Sequence, residues 1–375
     1  MNIFLTFIKN PTAIDRNGTH DIRFDVFEKI AFRLKEKHRV FVMPVNSHCW
    51  DCIYMRSGKL QEKYIGHFEP MKSHFEKDID LVISWDPLYV IKEWPTSIYK
   101  DKFMERTGRD IPFLSYEHGH MKDSIIIDGE GMFDCSEFAN NNKLNTICEQ
   151  GYNEKKCKAF MKDYLSGNKS KRKQEGSKDA VAIGTGESVN INNVKNYVFI
   201  PTQKADDVSL KASKIDVFQC LEETYKFCVQ KEMPLVVKIH PHIANNFYRE
   251  QFDFIKKFND PRSQVYVSKY SINYLMQNAR YTVCLNGASL MDNFINQTPV
   301  LSLAPSMYKN TDALIYSDNA QEGLSRIHSG DWDLDKMLDK QIKIIWWYIN
   351  NNLSPHKPTE ENIKVLENRF NLNLL

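Results

Sequence analysis

With 375 residues, the chain is long enough to bury the cores of two domains. A hydrophobic content of 42% with 26% charged residues excludes a disordered or fibrous protein. The formal net charge is only +2, so the overall charge gives no reason to expect a nucleic acid as partner.

Apolar, β-rich segments alternate with helical patterns over the first 165 residues. The predicted elements are a strand at Ile3–Ile8, a helix over about Asp21–Lys37, and strands at Arg39–Pro44, Leu81–Trp85 and Pro112–Tyr116. This alternation is typical of βα units on a parallel sheet, in which the carboxyl ends of the strands carry the ligands. Residues 1–165 are therefore predicted to form an N-terminal α/β domain.

Residues 166–196 are rich in Lys, Ser, Gly and Asn, and we predict an inter-domain linker there. A second α/β domain is predicted over residues 197–340, followed by a C-terminal helical segment over residues 341–375. Its predicted strands are Tyr197–Pro201, Pro234–Ile239, Gln264–Val267, Tyr281–Leu285 and Val300–Leu303. Its predicted helices are Lys214–Lys231, Phe247–Phe258, Ile272–Asn278 and Leu290–Asn296.

The sequence shows no membrane or secretion signal. No apolar stretch approaches the roughly 20 residues that a helix needs to cross a bilayer. The N-terminus lacks a basic start and a small-residue cleavage site, and the eight cysteines are too scattered for a disulfide-rich secreted domain. We expect a cytoplasmic chain with reduced thiols. Peripheral membrane contact through Ile344–Ile349 and Lys169–Lys173 is the weaker alternative.

The first candidate site segment is Glu117-His118-Gly119-His120, which follows a predicted strand. A carboxylate beside an imidazole and a flexible glycine suits a general base or a nucleophile. The alternative is a polar strand end that is simply solvated.

The second segment begins where the strand before Pro201 ends. It runs through Gln203, Asp206, Asp207 and Ser209 into a helix, and could offer backbone N–H groups and a glutamine amide to a phosphate or a sugar. Capping of the helix by the two aspartates is the more ordinary interpretation.

The third segment is Lys238-Ile-His240-Pro241-His242. Its two histidines lack the i, i+4 spacing of a helical zinc site, and no further ligands are placed by local spacing. A hydrogen bond from His240, near Lys238, to a leaving phosphate is the simpler chemistry.

The fourth segment is the turn Asn286-Gly287-Ala288-Ser289, which opens a predicted helix. The free N–H groups of a helix N-terminus make this turn a candidate phosphate site. Asp292 lies three residues after Ser289, so the two could form a pair like a capping box; in the functional interpretation Asp292 reaches a ribose hydroxyl.

In this order and spacing, the four segments resemble the capsular polysaccharide synthesis glycosyltransferase family, over roughly residues 112–308. That family includes bacterial Kdo transferases of capsule assembly, and its motifs are related to those of polysialyltransferases. The resemblance implies a GT-B fold, in which two Rossmann-like domains face a central cleft. The N-terminal domain then lies on the acceptor side, the C-terminal domain binds the nucleotide sugar, and a C-terminal helix packs across.

The resemblance also implies roles for individual residues. Glu117 matches the catalytic carboxylate and Gly119 the glycine of the family's acidic-acidic-Gly motif, while His118 departs from its second acid. His240 matches the catalytic histidine that contacts the donor phosphate. The implied donor nucleotide-binding residues are Gln203, Lys238, Pro241, Asn286, Gly287, Ala288, Ser289 and Asp292. The implied acceptor-side or supporting residues are His118, Gly119, His120, Asp206, Asp207 and Ser209.

The implied activity is transfer of a sugar from a nucleotide-activated donor, with a CMP-linked acidic sugar such as Kdo as a candidate. The acceptor would be a growing surface or capsule-like polysaccharide or a glycolipid. No cofactor or metal is required: Asp78-Ile-Asp80 and Asp331-Trp-Asp333 have the DxD spelling, but they lead into a strand and a surface helix. The alternatives are a CDP-polyol phosphotransferase of the teichoic-acid type and a non-catalytic relative that binds glycan or nucleotide.

Overall fold

The computed structural model describes residues 1–6, 22–42, 68–70, 73–85, 103–119, 124–129, 136, 151–167, 177–205, 207–210, 212–240, 245–355 and 359–374. The described chain divides into two compact units. Unit 1 comprises residues 1–140 and 348–375, and unit 2 comprises residues 141–347.

The elements alternate between strand and helix along most of the chain. The strands are β1 Asn2–Thr6, β2 Arg39–Val42, β3 Glu69–Pro70, β4 Leu81–Trp85, β5 Phe113–His118, β6 Ser124–Asp128, β7 Asp179–Ala182, β8 Ser188–Asn190, β9 Tyr197–Pro201, β10 Leu235–Lys238, β11 Val265–Ser268, β12 Ala279–Cys284, β13 Val300–Ser302, β14 Ile315–Tyr316 and β15 Leu353–Pro355. The helices are α1 Ile22–Leu34, α2 Glu154–Leu165, α3 Val217–Gln230, α4 Asn245–Ile255, α5 Ile272–Gln277, α6 Ser289–Asn296, α7 Ala320–Ser329, α8 Leu334–Trp347 and α9 Thr359–Phe370.

Unit 1 is built on a sheet with the strand order β3-β2-β1-β4-β5-β6-β15. The first five of these are parallel to their neighbours, and their order 3-2-1-4-5 is that of a Rossmann sheet. β6 and β15 add antiparallel strands at one side. The run Ile3-Phe4-Leu5 in β1 is fully buried, as expected of a parallel strand covered on both faces.

Unit 2 has the strand order β14-β13-β12-β9-β10-β11-β7-β8. The strands β9 to β14 are parallel, and numbered from β9 they stand in the full Rossmann order of 3-2-1-4-5-6. All five residues of β9 are buried because they lie at the centre of this sheet. The prediction of an α/β chain with two Rossmann-like units is therefore confirmed.

The structure divides the chain differently from the predicted boundaries. The segment predicted as a linker contributes the antiparallel strands β7 and β8, joined by a turn in which Gly184 and Gly186 have positive φ. Only Ala180 and Ala182 of β7 are buried, so the strand faces the core with small side chains. Short edge strands of small and polar residues resemble a linker in composition, which explains the difference.

The C-terminal segment also differs from the prediction. Helix α8 ends unit 2, and from Tyr348 the chain belongs to unit 1, where β15 pairs with β6 and α9 packs against α1. An ion pair of 2.7 Å between Arg33 and Glu360 joins α1 to α9. Among the helices that the structure describes, none combines the length and the apolar character needed to cross a membrane.

Candidate functional site

The carboxyl ends of β9, β10 and β12 lie along one edge of the unit 2 sheet. The strand order reverses between β9 and β12, because β10 lies on the outer side of β9 and β13 lies on the outer side of β12. In open α/β sheets, ligands bind in the crevice at such a switch point. Three of the four segments chosen from the sequence are the loops that follow these strands, so the fold brings them together.

A network of side-chain hydrogen bonds joins the loop after β9 to the loop after β12. The Gln203 amide nitrogen donates to Ser209 Oγ at 2.9 Å and to Asn286 Oδ1 at 3.0 Å. The Asn286 amide donates to the backbone oxygens of Ser209 and Pro305, each at 2.9 Å. Only 2% of Asn286 is exposed, so its amide holds three loops together instead of facing solvent.

Asp207 and Ser209 belong to this same network. Asp207 Oδ1 accepts hydrogen bonds from the backbone N–H of Ser209 at 3.0 Å and from its hydroxyl at 2.8 Å. Asp207 therefore caps a short 3₁₀ turn and not the helix named in the ordinary interpretation. Helix α3 is capped instead by Asp216, which accepts from the N–H of Gln219 at 2.8 Å.

His240 follows β10 and is held by residues that the sequence analysis did not single out. Its backbone N–H donates to Thr202 Oγ1 at 3.1 Å, and the Thr202 hydroxyl donates to Gln251 Oε1 at 2.8 Å. The Gln251 amide also donates to the backbone oxygen of Gln203 at 3.0 Å. Gln251 in α4 is only 1% exposed, and buried amides need partners; because this burial is visible only in the fold, no signal in the sequence pointed to Gln251.

Lys238, at the end of β10, turns toward the loop after β11. Its ammonium donates to the backbone oxygens of Lys269 at 2.9 Å and Tyr270 at 2.5 Å. Burial lowers the pKa of this ammonium to about 8. Lys238 therefore holds the neighbouring loop, and its contact with a donor stays a prediction.

We expect the lowered pKa of Lys238 to make stability depend on pH. Above about pH 8, Lys238 loses its proton in the folded chain, whereas in the unfolded chain it keeps the proton up to the ordinary lysine pKa. The free energy of unfolding therefore rises with pH between these two pKa values. Relative to Lys238→Met, the rise should reach at most about 1.4 kcal/mol per pH unit. Urea unfolding from neutral pH to about pH 10 measures it, with the exposed Lys256→Met as control; equal slopes for parent and Lys238→Met would contradict the expectation.

The turn from Asn286 to Ser289 has the geometry of a tight strand-to-helix connection. Gly287 has φ +93°, and a Cβ there would lie 3.5 Å from the Gln203 side chain. Ser289 Oγ donates to Cys284 Sγ at 3.8 Å, and no side chain caps α6. Burial raises the pKa of the Cys284 thiol to about 12, so this cysteine stays protonated.

Asp292 lies in the first turn of α6 and is half-buried. Its carboxylate accepts a hydrogen bond of 2.5 Å from the hydroxyl of Tyr164 in α2. The capping-box alternative for Ser289 and Asp292 is therefore not what the structure shows, since both side chains have other partners.

Unit 1 holds the segment that begins with Glu117. Glu117 and His118 are the last residues of β5, opposite Ile126 and Ile125 of β6. A Cβ at Gly119 would clash with Ser124 Oγ and lie 2.9 Å from the Ser124 carbonyl carbon, so this close approach requires a glycine. The side chains of Glu117 and His118, and all of His120, Asp206 and Pro241, fall outside the described residues.

Within the parts of the chain that the structure describes, no three His, Cys, Asp or Glu residues are grouped as metal ligands. Residues 139–322, which include the whole network at the switch point, match the model of a family described as capsule polysaccharide biosynthesis protein. Over these residues the chain is similar to this family. This match agrees with the capsule polysaccharide synthesis family predicted from the motifs.

The chain is also similar to solved structures at low sequence identity. Two are Thermosulfurimonas dismutans KpsC transferases. The β-Kdo 2,7 transferase is 12% identical, with 98% of this chain and 99% of that chain covered and a TM-score of 0.49. The β-Kdo 2,4 transferase is 12% identical, with 71% and 79% covered and a TM-score of 0.44.

A third similar structure is Anabaena Alr3699/HepE in complex with UDP and glucose. It is 10% identical, with 99% of this chain and 100% of that chain covered and a TM-score of 0.32. The comparison with curated protein sequences found no match.

Proposed function

We propose that this chain is a glycosyltransferase of capsule synthesis, which takes its sugar from a nucleotide-activated donor bound at the switch point of unit 2. The observation that carries the proposal is the network around Asn286, which fixes the loops after β9 and β12 on either side of that point. Such rigid loops, on the edge of a sheet in full Rossmann order, suit a nucleotide phosphate and its ribose.

In this proposal His240 and the start of α6 take the charge that develops on the leaving nucleotide. Thr202 fixes the backbone of His240, and this limits the reorganisation that its imidazole needs in order to donate a hydrogen bond to the phosphate. The first N–H groups of α6 carry the positive end of the helix dipole. Both effects stabilise negative charge on the phosphate as the bond to the sugar breaks.

Glu117 is proposed to act on the face of the anomeric carbon opposite the leaving nucleotide. It would serve either as the general base that deprotonates the acceptor hydroxyl or as the nucleophile that attacks this carbon. It stands at the carboxyl end of a parallel strand in unit 1, where ligands of such sheets bind. The acceptor is proposed to be a growing surface polysaccharide or a glycolipid. No step of this mechanism uses a metal ion.

CMP is the first nucleotide to test, because the motifs resemble a family that includes bacterial Kdo transferases. We expect a thermal-shift screen against CMP, CDP, UDP, GDP and ADP to show one preferred nucleotide. A ligand at about a hundred times its Kd stabilises the folded chain by about 2.7 kcal/mol, or roughly 5 to 10 °C in Tm for a unit of this size.

Each outcome of the screen has a distinct meaning. Stabilisation by CMP supports a CMP-linked acidic sugar, to be followed by a transfer assay with CMP-Kdo. Preference for another nucleotide supports the proposed donor site but contradicts a CMP-linked sugar as the donor. No shift with any of the five contradicts the proposed donor site. Phosphate in the product linkage would instead indicate polyol phosphate transfer.

A further inference from the structure

Tyr164 is a buried residue of unit 2 that no sequence motif pointed to. It lies in α2, is 3% exposed, and its hydroxyl donates to Asp292 Oδ1 at 2.5 Å. The helix that carries it begins at the N-cap Asn153, whose side chain accepts from the N–H of Lys156 at 3.0 Å. Helix α2 packs against α6 and α8, so the phenol approaches the site from a separate element.

The contact joins a phenol to a carboxylate in the helix that follows the turn proposed to bind phosphate. Hydrogen bonds from a hydroxyl to an ionised carboxylate are about twice as strong as those between neutral groups. The backbone of Asp292 is also fixed, since its N–H donates to Ala288 at 3.2 Å and its oxygen accepts from the Asn296 amide at 2.8 Å. Tyr164 therefore limits the side-chain freedom that remains to Asp292.

We propose that Tyr164 is a positioning residue, whose hydroxyl holds the carboxylate of Asp292 in the orientation that accepts hydrogen bonds from the ribose hydroxyls of the donor nucleotide. The inference rests on the proposed function, because it needs a nucleotide at the switch point. A carboxylate recognises a ribose hydroxyl only when its oxygen stands within hydrogen-bond distance and at the right angle. An aspartate has a short side chain, so a small rotation moves its oxygens out of reach.

The test compares a ribonucleotide with its 2′-deoxy form. The Kd of CMP and of 2′-deoxy-CMP, or of the corresponding pair for the nucleotide preferred in the screen, is measured by titration calorimetry. The parent is expected to prefer the ribonucleotide, and Tyr164→Phe to reduce that preference by roughly 5-fold to 10-fold. Asp292→Asn should reduce the preference for the ribonucleotide by the same factor. The double variant should reduce it no further, because both changes break the same chain of contacts from Tyr164 through Asp292 to the ribose.

Tyr197→Phe is the matched control. It also removes a buried hydroxyl of unit 2, which donates to the backbone oxygen of Leu275 at 2.8 Å. It should lower Tm but leave the ratio of the two Kd values unchanged. A general loss of packing would therefore affect both phenylalanine variants alike.

The outcomes distinguish a failure of the role inferred for Tyr164 from a failure of the proposed function. If Asp292→Asn loses the ribose preference and Tyr164→Phe keeps it, the role of Tyr164 is wrong and the nucleotide site stands. If the parent and both variants bind the two nucleotides equally well, the ribose contact and the inference fail together. If the parent binds no nucleotide, the proposed function fails first, and the inference with it.

Discussion

Replacing Glu117 by alanine is expected to abolish sugar transfer and to leave nucleotide binding largely intact. General acid–base groups contribute about 10² to 10⁴ in rate, and a nucleophile cannot be replaced at all, so kcat should fall by at least about 10². The donor nucleotide is proposed to bind in unit 2, whereas Glu117 lies in β5 of unit 1. The Kd of the nucleotide should therefore change by less than about 2-fold, which is a shift of under about 0.5 kcal/mol in binding free energy.

Two further variants make the Glu117 experiment decisive. Glu117→Gln keeps the size of the side chain and removes its charge, so it should lose transfer as fully as alanine does. Glu105→Gln, an exposed carboxylate of the same unit, is the control and should keep the parent's rate. Transfer at the parent's rate by Glu117→Gln would remove this residue from the mechanism. Equal loss of nucleotide affinity and rate would place it at the donor instead.

The strands could be predicted from the sequence because parallel strands are buried on both faces. Such strands form continuous apolar runs, and the predicted Tyr197–Pro201 is the observed β9. The strands β7 and β8 could not be predicted in this way, since they stand at a sheet edge and bury only small side chains.

The positions of the site loops could also be predicted, while their internal contacts could not. Polar residues after apolar strands place a loop at the carboxyl edge of a sheet, as Gln203 and Asn286 show. The partner of a given side chain depends on packing between distant segments. Tyr164 and Asp292 are 128 residues apart in the chain, and no local pattern relates them.

Residues that hold the loops of the site in place differ from residues that would face a ligand. The family resemblance implied that Asn286 and Lys238 bind the donor, and the structure shows their polar groups bonded to backbone oxygens of neighbouring loops. Polar residues at strand ends thus serve two purposes that look alike in a sequence. Burial distinguishes them, since a side chain that is 2% exposed, such as Asn286, has its partners inside the protein.

His240→Ala is expected to slow transfer by about 10² to 10³ in kcat, the usual cost of removing one donor to a developing charge. The loss should appear mainly in kcat, because the charge on the phosphate oxygen grows as the sugar leaves and the hydrogen bond strengthens with it. Nucleotide affinity should weaken less, by roughly 10-fold or under. Steady-state rates and calorimetric Kd values, taken on the same preparations, separate the two effects.

His240→Gln supplies the conservative comparison, because its amide keeps a neutral N–H donor and should recover part of the rate. Thr202→Val removes the oxygen that accepts from the backbone N–H of His240 and donates to Gln251. It should reproduce a smaller part of the His240→Ala defect, since the imidazole is still present but its loop is held less firmly. If His240→Ala transfers sugar at the parent's rate, the leaving-group role belongs to another residue. A defect in Thr202→Val alone would then show that the hydroxyl of Thr202, and not the imidazole, shapes the phosphate site.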